Sequence, residues 1–226
     1  MNLVGNRQRR VSIHVNFDGS VEVDAPVSMS SQDVKRAIGK RARWLCRQVD
    51  EALLRYDGLT PRKYVSGETH FYLGRRYLLK RLPEDNGTSG VKLKDGQLQI
   101  RCDNATAVTV KALLDEWYKK QAARVFSRRM NALLEITPWV KDCPPIRIRH
   151  MRKRWGSCST HGPITLNPIL VKAPTLCIDG VLIHELCHLK IGNHSPAFYR
   201  LLLRTLPDWK LRKLRLDGMV ERLMQD

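Results

Sequence analysis

Two histidines four residues apart, with a glutamate directly after the first, form the run His184-Glu185-Leu186-Cys187-His188. Side chains spaced this way act together only on a helix. There, residues i and i+4 lie one turn apart on the same face, so both imidazoles reach a single ion. Glu185 is about 100° further round, outside the ligand set but placed to hold a water on that ion. Catalytic zinc takes three protein ligands and keeps a fourth position open, so a third group must come from elsewhere. His194 is the candidate, because Gly192 stops the helix and Asn193-His194 turns back before Ser195 starts another. Val181, Leu182, Ile183, Leu186 and Leu189 are apolar, as expected of a helix buried under a sheet with one polar strip facing a cleft. Zinc brings the pKa of its bound water to about 7, Glu185 accepts the proton, and the same ion polarises a carbonyl for attack. Amide hydrolysis is the expected chemistry. The oxyanion needs a further donor, for which Tyr199, Arg200, His161 and Arg154 are open candidates.

The 226 residues make one large domain or two small ones. A chain of this size buries roughly 70% of its unfolded surface, so a core forms without disulfides. Its 42% hydrophobic and 27% charged content exclude disorder as the main state. No apolar run is long enough to cross a bilayer: the greasiest stretch, Leu176 to Leu189, is broken by Asp179, His184, Glu185 and His188. The first ten residues carry Arg7, Arg9 and Arg10 and leave no room for an apolar signal core, which predicts a cytoplasmic protein. Six cysteines without a C-x-x-C pair suit neither a zinc ribbon nor a secreted disulfide framework, and most are expected to be reduced, buried hydrophobes.

Along the chain, Arg10 to Asp24 alternates around Asp18-Gly19 and reads as a β-hairpin. Helical spacing from Ser31 to Tyr56 predicts one helix, with Trp44 in the core. Hairpins follow at His70 to Leu79 around Gly74 and at Val91 to Arg101 around Asp95-Gly96. Thr106 to Ile136 lacks Gly and Pro and predicts one long helix that packs Trp117 inward. Short strands are expected at Ile146 to Ile148 and Ile164 to Leu166. A helix from Pro174 or Thr175 through Lys190 comes next, then another opened by Ser195-Pro196. The fold class is therefore α+β, with a β-rich region holding one helix at 1–105 and a second region at 106–226.

Arg154-Trp155-Gly156-Ser157-Cys158-Ser159, Ile164-Thr165-Leu166-Asn167, Ala173-Pro174, Ile178-Asp179, the His184 to His188 run and Asn193-His194-Ser195 with Phe198 resemble the YgjP-like metallopeptidases. These bacterial zinc-dependent proteins are related to the SprT-like and Spartan group. The resemblance is most specific from about residue 150 to 210. It implies that His184, His188 and His194 bind zinc and that Glu185 is the catalytic base. It also implies a small zincin-type fold over 106–226, with the Trp155 and Ile164 segments as strands packed over the active-site helix. If Ile164 to Leu166 lies at the sheet edge, a peptide substrate can pair with it through backbone hydrogen bonds. Unlike Spartan, no Cys/His zinc-binding module follows residue 210. Cys158 is expected to pack rather than to act as a nucleophile.

Lys and Arg total 40 against 22 Asp and Glu, a formal net charge of +18. The cations cluster at 7–10, 35–43, 75–81, 147–154 and 210–215. Such clusters neutralise phosphates, so nucleic acid or a nucleic-acid-bound protein is a possible partner, while a membrane is not expected. Two readings result. One is a zinc metallopeptidase acting on protein or peptide substrates; the other is a basic nucleic-acid-binding accessory protein whose zinc is structural or inactive.

Overall fold

The computed structural model describes residues 2–6, 11–15, 20–26, 28–56, 62–84, 87–103, 105–151, 154–159 and 162–224. Its contacts separate two units, Met1–Pro61 and Arg62–Met224.

In the first unit, β1 (Asn2–Asn6), β2 (Ser12–Val15) and β3 (Val21–Pro26) form a sheet in the order β1-β3-β2. The expected pairing is present, since Ser12 to Val15 run antiparallel to Asp24 to Val21; residues 16–19, with the expected Asp18-Gly19 turn, lie outside the described residues. Ile13, Val23, Ala25 and Val34 form the core. The expected single helix is two, α1 (Ser31–Gly39) and α2 (Ala42–Tyr56). Ser30 caps α1 by accepting a hydrogen bond from the Asp33 N–H at 3.2 Å. The break falls just after Gly39, a poor interior helix former, where the Arg41 N–H reaches back only three residues to the Ile38 carbonyl at 2.9 Å. Crossing this break resets the helical phase. Leu45 takes the inward position, and Trp44, expected in the core, is 43% exposed.

The second unit begins with β4 (Thr69–Tyr72), β5 (Arg75–Leu82), β6 (Gly90–Lys94) and β7 (Gln97–Arg101), ordered β4-β5-β7-β6. Both expected hairpins are present, and their tips take the left-handed backbone that two-residue turns require: Leu73 and Gly74 have φ of 49° and 77°, Asp95 and Gly96 of 51° and 69°. The tip at Gly74 also sits against Pro174, and its N–H donates to the Lys172 carbonyl at 3.0 Å, just ahead of the helix that carries the histidines.

Helix α3 (Ala107–Leu134) is the long helix the spacing predicts, capped by Thr106. Trp117 is buried, as expected. Leu79, Leu98 and Ile100 share one core with Val110, Leu114 and Trp117, so residues on both sides of position 105 pack together, and the boundary between units falls at 61/62.

Strands β8 (Ile146–Ile148), β9 (Gly156–Cys158) and β10 (Ile164–Leu166) form a mixed sheet in the order β8-β10-β9. Ile164 to Leu166 is thus the central strand, parallel to β8 and antiparallel to β9, rather than an edge open to a peptide. Ile164 and Leu166 are fully buried, and burial on this scale favours the middle of a sheet. A 3₁₀ turn (Pro168–Lys172) then leads into α4 (Thr175–His188), α5 (Pro196–Thr205), α6 (Trp209–Asp217) and α7 (Val220–Met224). The architecture is mixed α+β. Among the described residues no helix is long and apolar enough to cross a membrane. All six cysteines are free thiols; Cys102, Cys177 and Cys187 are buried, whereas Cys46 and Cys143 are exposed.

One ion pair ties α4 to α3. Arg129 donates from Nε and Nη2 to both Asp179 oxygens, each at 2.8 Å, with the Asp179 side chain 6% and the Arg129 side chain 30% exposed. Removing the carboxylate strands a half-buried guanidinium against α4. Asp179→Ala should therefore lower unfolding stability by about 2 kcal/mol, less than for a fully buried pair because water still reaches Arg129. Urea unfolding of the two proteins measures this; an unchanged midpoint would show that the pair contributes nothing.

Candidate metal centre

Helix α4 buries Ile178, Leu182, Ile183, Leu186 and Cys187, and only the strip bearing His184 and His188 faces outward. The helix ends at His188, before Gly192: Lys190 and Ile191 both donate to the Cys187 carbonyl, at 3.1 and 2.9 Å, and so tighten the last turn. Trp139 donates its indole N–H to the Leu186 carbonyl at 2.9 Å and holds this end of α4 from outside. The turn brings His194 back towards α4, just ahead of Ser195 and Pro196 at the start of α5.

The three expected ligands meet. Nε2 of His184 lies 3.2 Å from that of His188 and 3.0 Å from that of His194, and the last two are 3.1 Å apart. His188 Nδ1 is 3.2 Å from the Ile191 carbonyl. A carbonyl only accepts, so Nδ1 carries the hydrogen and Nε2 keeps its lone pair for the cluster. Burial, followed by the charges of His188, His194 and Lys213, lowers the His184 pKa to about 4; burial and then His188 lower that of His194. Both shifts favour neutral imidazole, the form that binds metal. Nitrogen lone pairs converging this closely repel unless a cation sits among them, and their separations suit three nitrogens each about 2.0–2.1 Å from one ion. The donor set fits a divalent metal.

Phe198 is the floor of the cluster. It is completely buried, and its ring centroid is 5.0, 4.5 and 4.9 Å from those of His184, His188 and His194. Tyr199, the next residue, lies nearly parallel to His194 at 6.1 Å and to Trp209 at 5.7 Å.

Glu185 points from α4 towards β9 and is only 5% exposed. Burial pushes its carboxyl up to about 7, against the opposing pull of Arg154. Gly156 makes room for it: a Cβ there would lie 2.6 Å from Glu185 Oε1 and 2.9 Å from Cγ. Asn167, fully buried, pins the approach to β9 by donating to the carbonyls of Met151 at 2.7 Å and Arg154 at 3.2 Å. Cys158 also lies beside Glu185; burial and then that carboxylate push its thiol up to about 11, which suits a packing residue and not a nucleophile.

Of the four oxyanion candidates, Arg154 and Arg200 are exposed, Tyr199 is 42% exposed in its stack, and His161 lies outside the described residues. Phe198, Gly156 and Asn167 stand in the motifs that carried the resemblance, but nothing in their spacing announces a floor, a gap or a pin.

Adding one methyl group at position 156 should move the carboxylate and spare the imidazoles. Gly156→Ala is expected to retain full metal content and lose about 10²-fold in kcat/KM, the scale of a misplaced catalytic group. Wild-type kcat/KM in the variant would show that Glu185 does not need this gap.

A buried helix and the turn after it that bring three imidazoles together beside one carboxylate fit the class of metal-dependent hydrolases. The description "YgjP-like, metallopeptidase domain" matches residues 9–219, and the chain belongs to this family. It is a metallopeptidase, a class that implies a bound metal and protein substrates. The crystal structure of the metallopeptidase zymogen of Pyrococcus abyssi abylysin is 25% identical, covers 45% of this chain and 97% of its own, and superposes with a TM-score of 0.38. No curated protein matches.

Proposed function

We propose that this chain is a cytoplasmic zinc endopeptidase of zincin-like architecture, with His184, His188 and His194 as ligands and Glu185 as the general base. The observation that carries the reading is the meeting of three Nε2 atoms within 3.0–3.2 Å of one another, next to a carboxylate buried one residue along the helix. When bound, zinc supplies a Lewis acid that polarises the scissile carbonyl and acidifies water. Glu185 takes the proton of the attacking water on a carboxylate oxygen and delivers it to the leaving amide nitrogen. A carboxyl near 7 suits both halves of that task. Phe198 and the Ile191 carbonyl keep the imidazoles converged, and Gly156 and Asn167 let β9 lie close to Glu185 without displacing its carboxylate. Strand β9, paired on one side with β10, is the sheet edge next to Glu185, so an extended substrate bound along it is read through its backbone.

The alternative, a structural zinc in a binding protein, calls for a fourth protein ligand. Among the described residues the cluster offers three. Metal analysis of the purified chain should give about one zinc per molecule. A chelator should abolish cleavage of an unfolded protein such as casein, and one equivalent of zinc should restore it. Cleavage that survives complete metal removal would end this reading.

A further inference from the structure

One group of cations stands in a place the peptidase site does not use. In the β4-β5-β7-β6 sheet, alternate residues point to opposite faces. One face carries Tyr72, Leu79, Leu98 and Ile100 into the core. The registers Lys80↔Gln99, Gln99↔Lys92 and Gln97↔Lys94 place the opposite set on the outward face, where Arg76, Lys80, Lys92 and Lys94 are all exposed around Gln97 and Gln99. The alternation brings no carboxylate onto this face. Among the described residues the nearby acids stand outside it: Asp95 is in the β6–β7 turn, Glu84 accepts from Ser89 at 2.9 Å, and Glu68 accepts from Arg62 and from the Tyr64 N–H. Among the described residues, none of these four cations is in an ion pair.

Four like charges held on one rigid sheet repel one another unless an anion neutralises them. The counter-surface must be extended and regularly charged, because the cations span three strands. A membrane fits poorly, since Leu78, 49% exposed, is the one large apolar side chain that stands out here. A DNA duplex also fits poorly. Four strands at about 4.7–4.9 Å spacing make a slab about 14 Å wide before side chains are added, too broad for a major groove of about 12 Å. A single strand can lie across the face, its phosphates on the cations and its bases and sugars within reach of the two glutamine amides.

We propose that the outward face of the β4–β7 sheet binds single-stranded nucleic acid through its phosphate backbone, with Arg76, Lys80, Lys92 and Lys94 as the contacts. Binding is tolerant of sequence, because no exposed aromatic on this face reads a base. The surface gives the peptidase a means of concentrating on proteins that are themselves bound to nucleic acid. It is independent of the metal chemistry, so Glu185→Gln should bind as wild type does.

Fluorescence anisotropy of the full-length chain with a labelled mixed-sequence 20-nucleotide DNA strand tests this between 50 and 200 mM salt. Wild-type affinity should fall steeply with salt. Changing Arg76, Lys80, Lys92 and Lys94 together to Gln should weaken binding at least tenfold and make the log–log salt slope shallower by about 3, the release of roughly 0.7 counterion per contact. A control removing the same charge from α3 and the segment after it, Lys119, Lys120, Arg128 and Lys141 to Gln, should change affinity at 150 mM by less than about threefold, because distant charges are screened. Thermal unfolding checks that both proteins fold; should the fourfold variant not fold, Lys80→Gln and Lys92→Gln singly should each reduce the slope by about 0.7. Equal loss in the control, wild-type affinity in the sheet variant, or stronger binding to a duplex of equal length or to phosphatidylserine-containing vesicles would each overturn the proposal.

Discussion

Glu185→Gln should hold about one zinc per chain and yet cleave casein at least 10²- to 10⁴-fold more slowly than wild type, the range a positioned general base supplies. The amide is close in size to the carboxylate, so the packing against Gly156 survives, and the three imidazoles, two on a different strip of α4 and one in the turn after it, keep their convergence. Only the proton acceptor is lost. The wild-type rate should fall as pH drops, because Glu185 must be ionised to act. Burial, against the opposing pull of Arg154, puts its titration at about 7, and a cation among the imidazoles would pull it lower, so the acid limb should appear at or below that value. The glutamine variant should lack this limb. A variant as active as wild type, or one retaining the same acid limb, would remove Glu185 from the chemistry.

His188→Ala should empty the site altogether. His188 is the most firmly held of the three proposed ligands, fixed by the Ile191 carbonyl on one nitrogen and stacked on Phe198 at 4.5 Å with an interplanar angle of 26°. Loss of an outer partner of a metal-bound histidine typically reduces affinity by 10–100-fold, so loss of the ligand itself should exceed about 100-fold. The purified variant should carry little zinc and show no cleavage, and micromolar zinc should not restore it. The fold should persist, since the α4 core residues Leu182, Ile183 and Leu186 pack without this imidazole. Competition against a fluorescent chelator measures the affinity; a variant with wild-type zinc affinity would show that His184 and His194 hold the ion with some other group.

Much of this could be read residue by residue, because the signals are local. The hairpin at Asp95-Gly96 shows in its turn chemistry, α3 in an unbroken helical period, and the metal cluster in a four-residue spacing that a helix converts into one face. Pattern and structure part where a local signal meets the rest of the fold. The apolar spacing from Ser31 to Tyr56 does not record that the helix stops after Gly39, so it points Trp44 to a face the side chain does not occupy. Ile164 and Leu166 alternate as any half-buried strand would, and nothing in three residues says whether one neighbour or two will flank them. A change from strand-rich to helical spacing near residue 105 resembles a boundary, yet both sides fill one core.

The sequence by itself determined the chemistry: which imidazoles can share an ion, and which carboxylate stands next to them, because covalent spacing along one helix and one short turn settles both. Tertiary structure alone decided how that chemistry is tuned. Phe198 lies beneath all three rings, Gly156 comes from 29 positions upstream to leave space for Glu185, and burial moves the carboxyl towards neutrality. Solvation and close packing depend on every element that surrounds a group, and that surrounding exists only once the distant segments have come together.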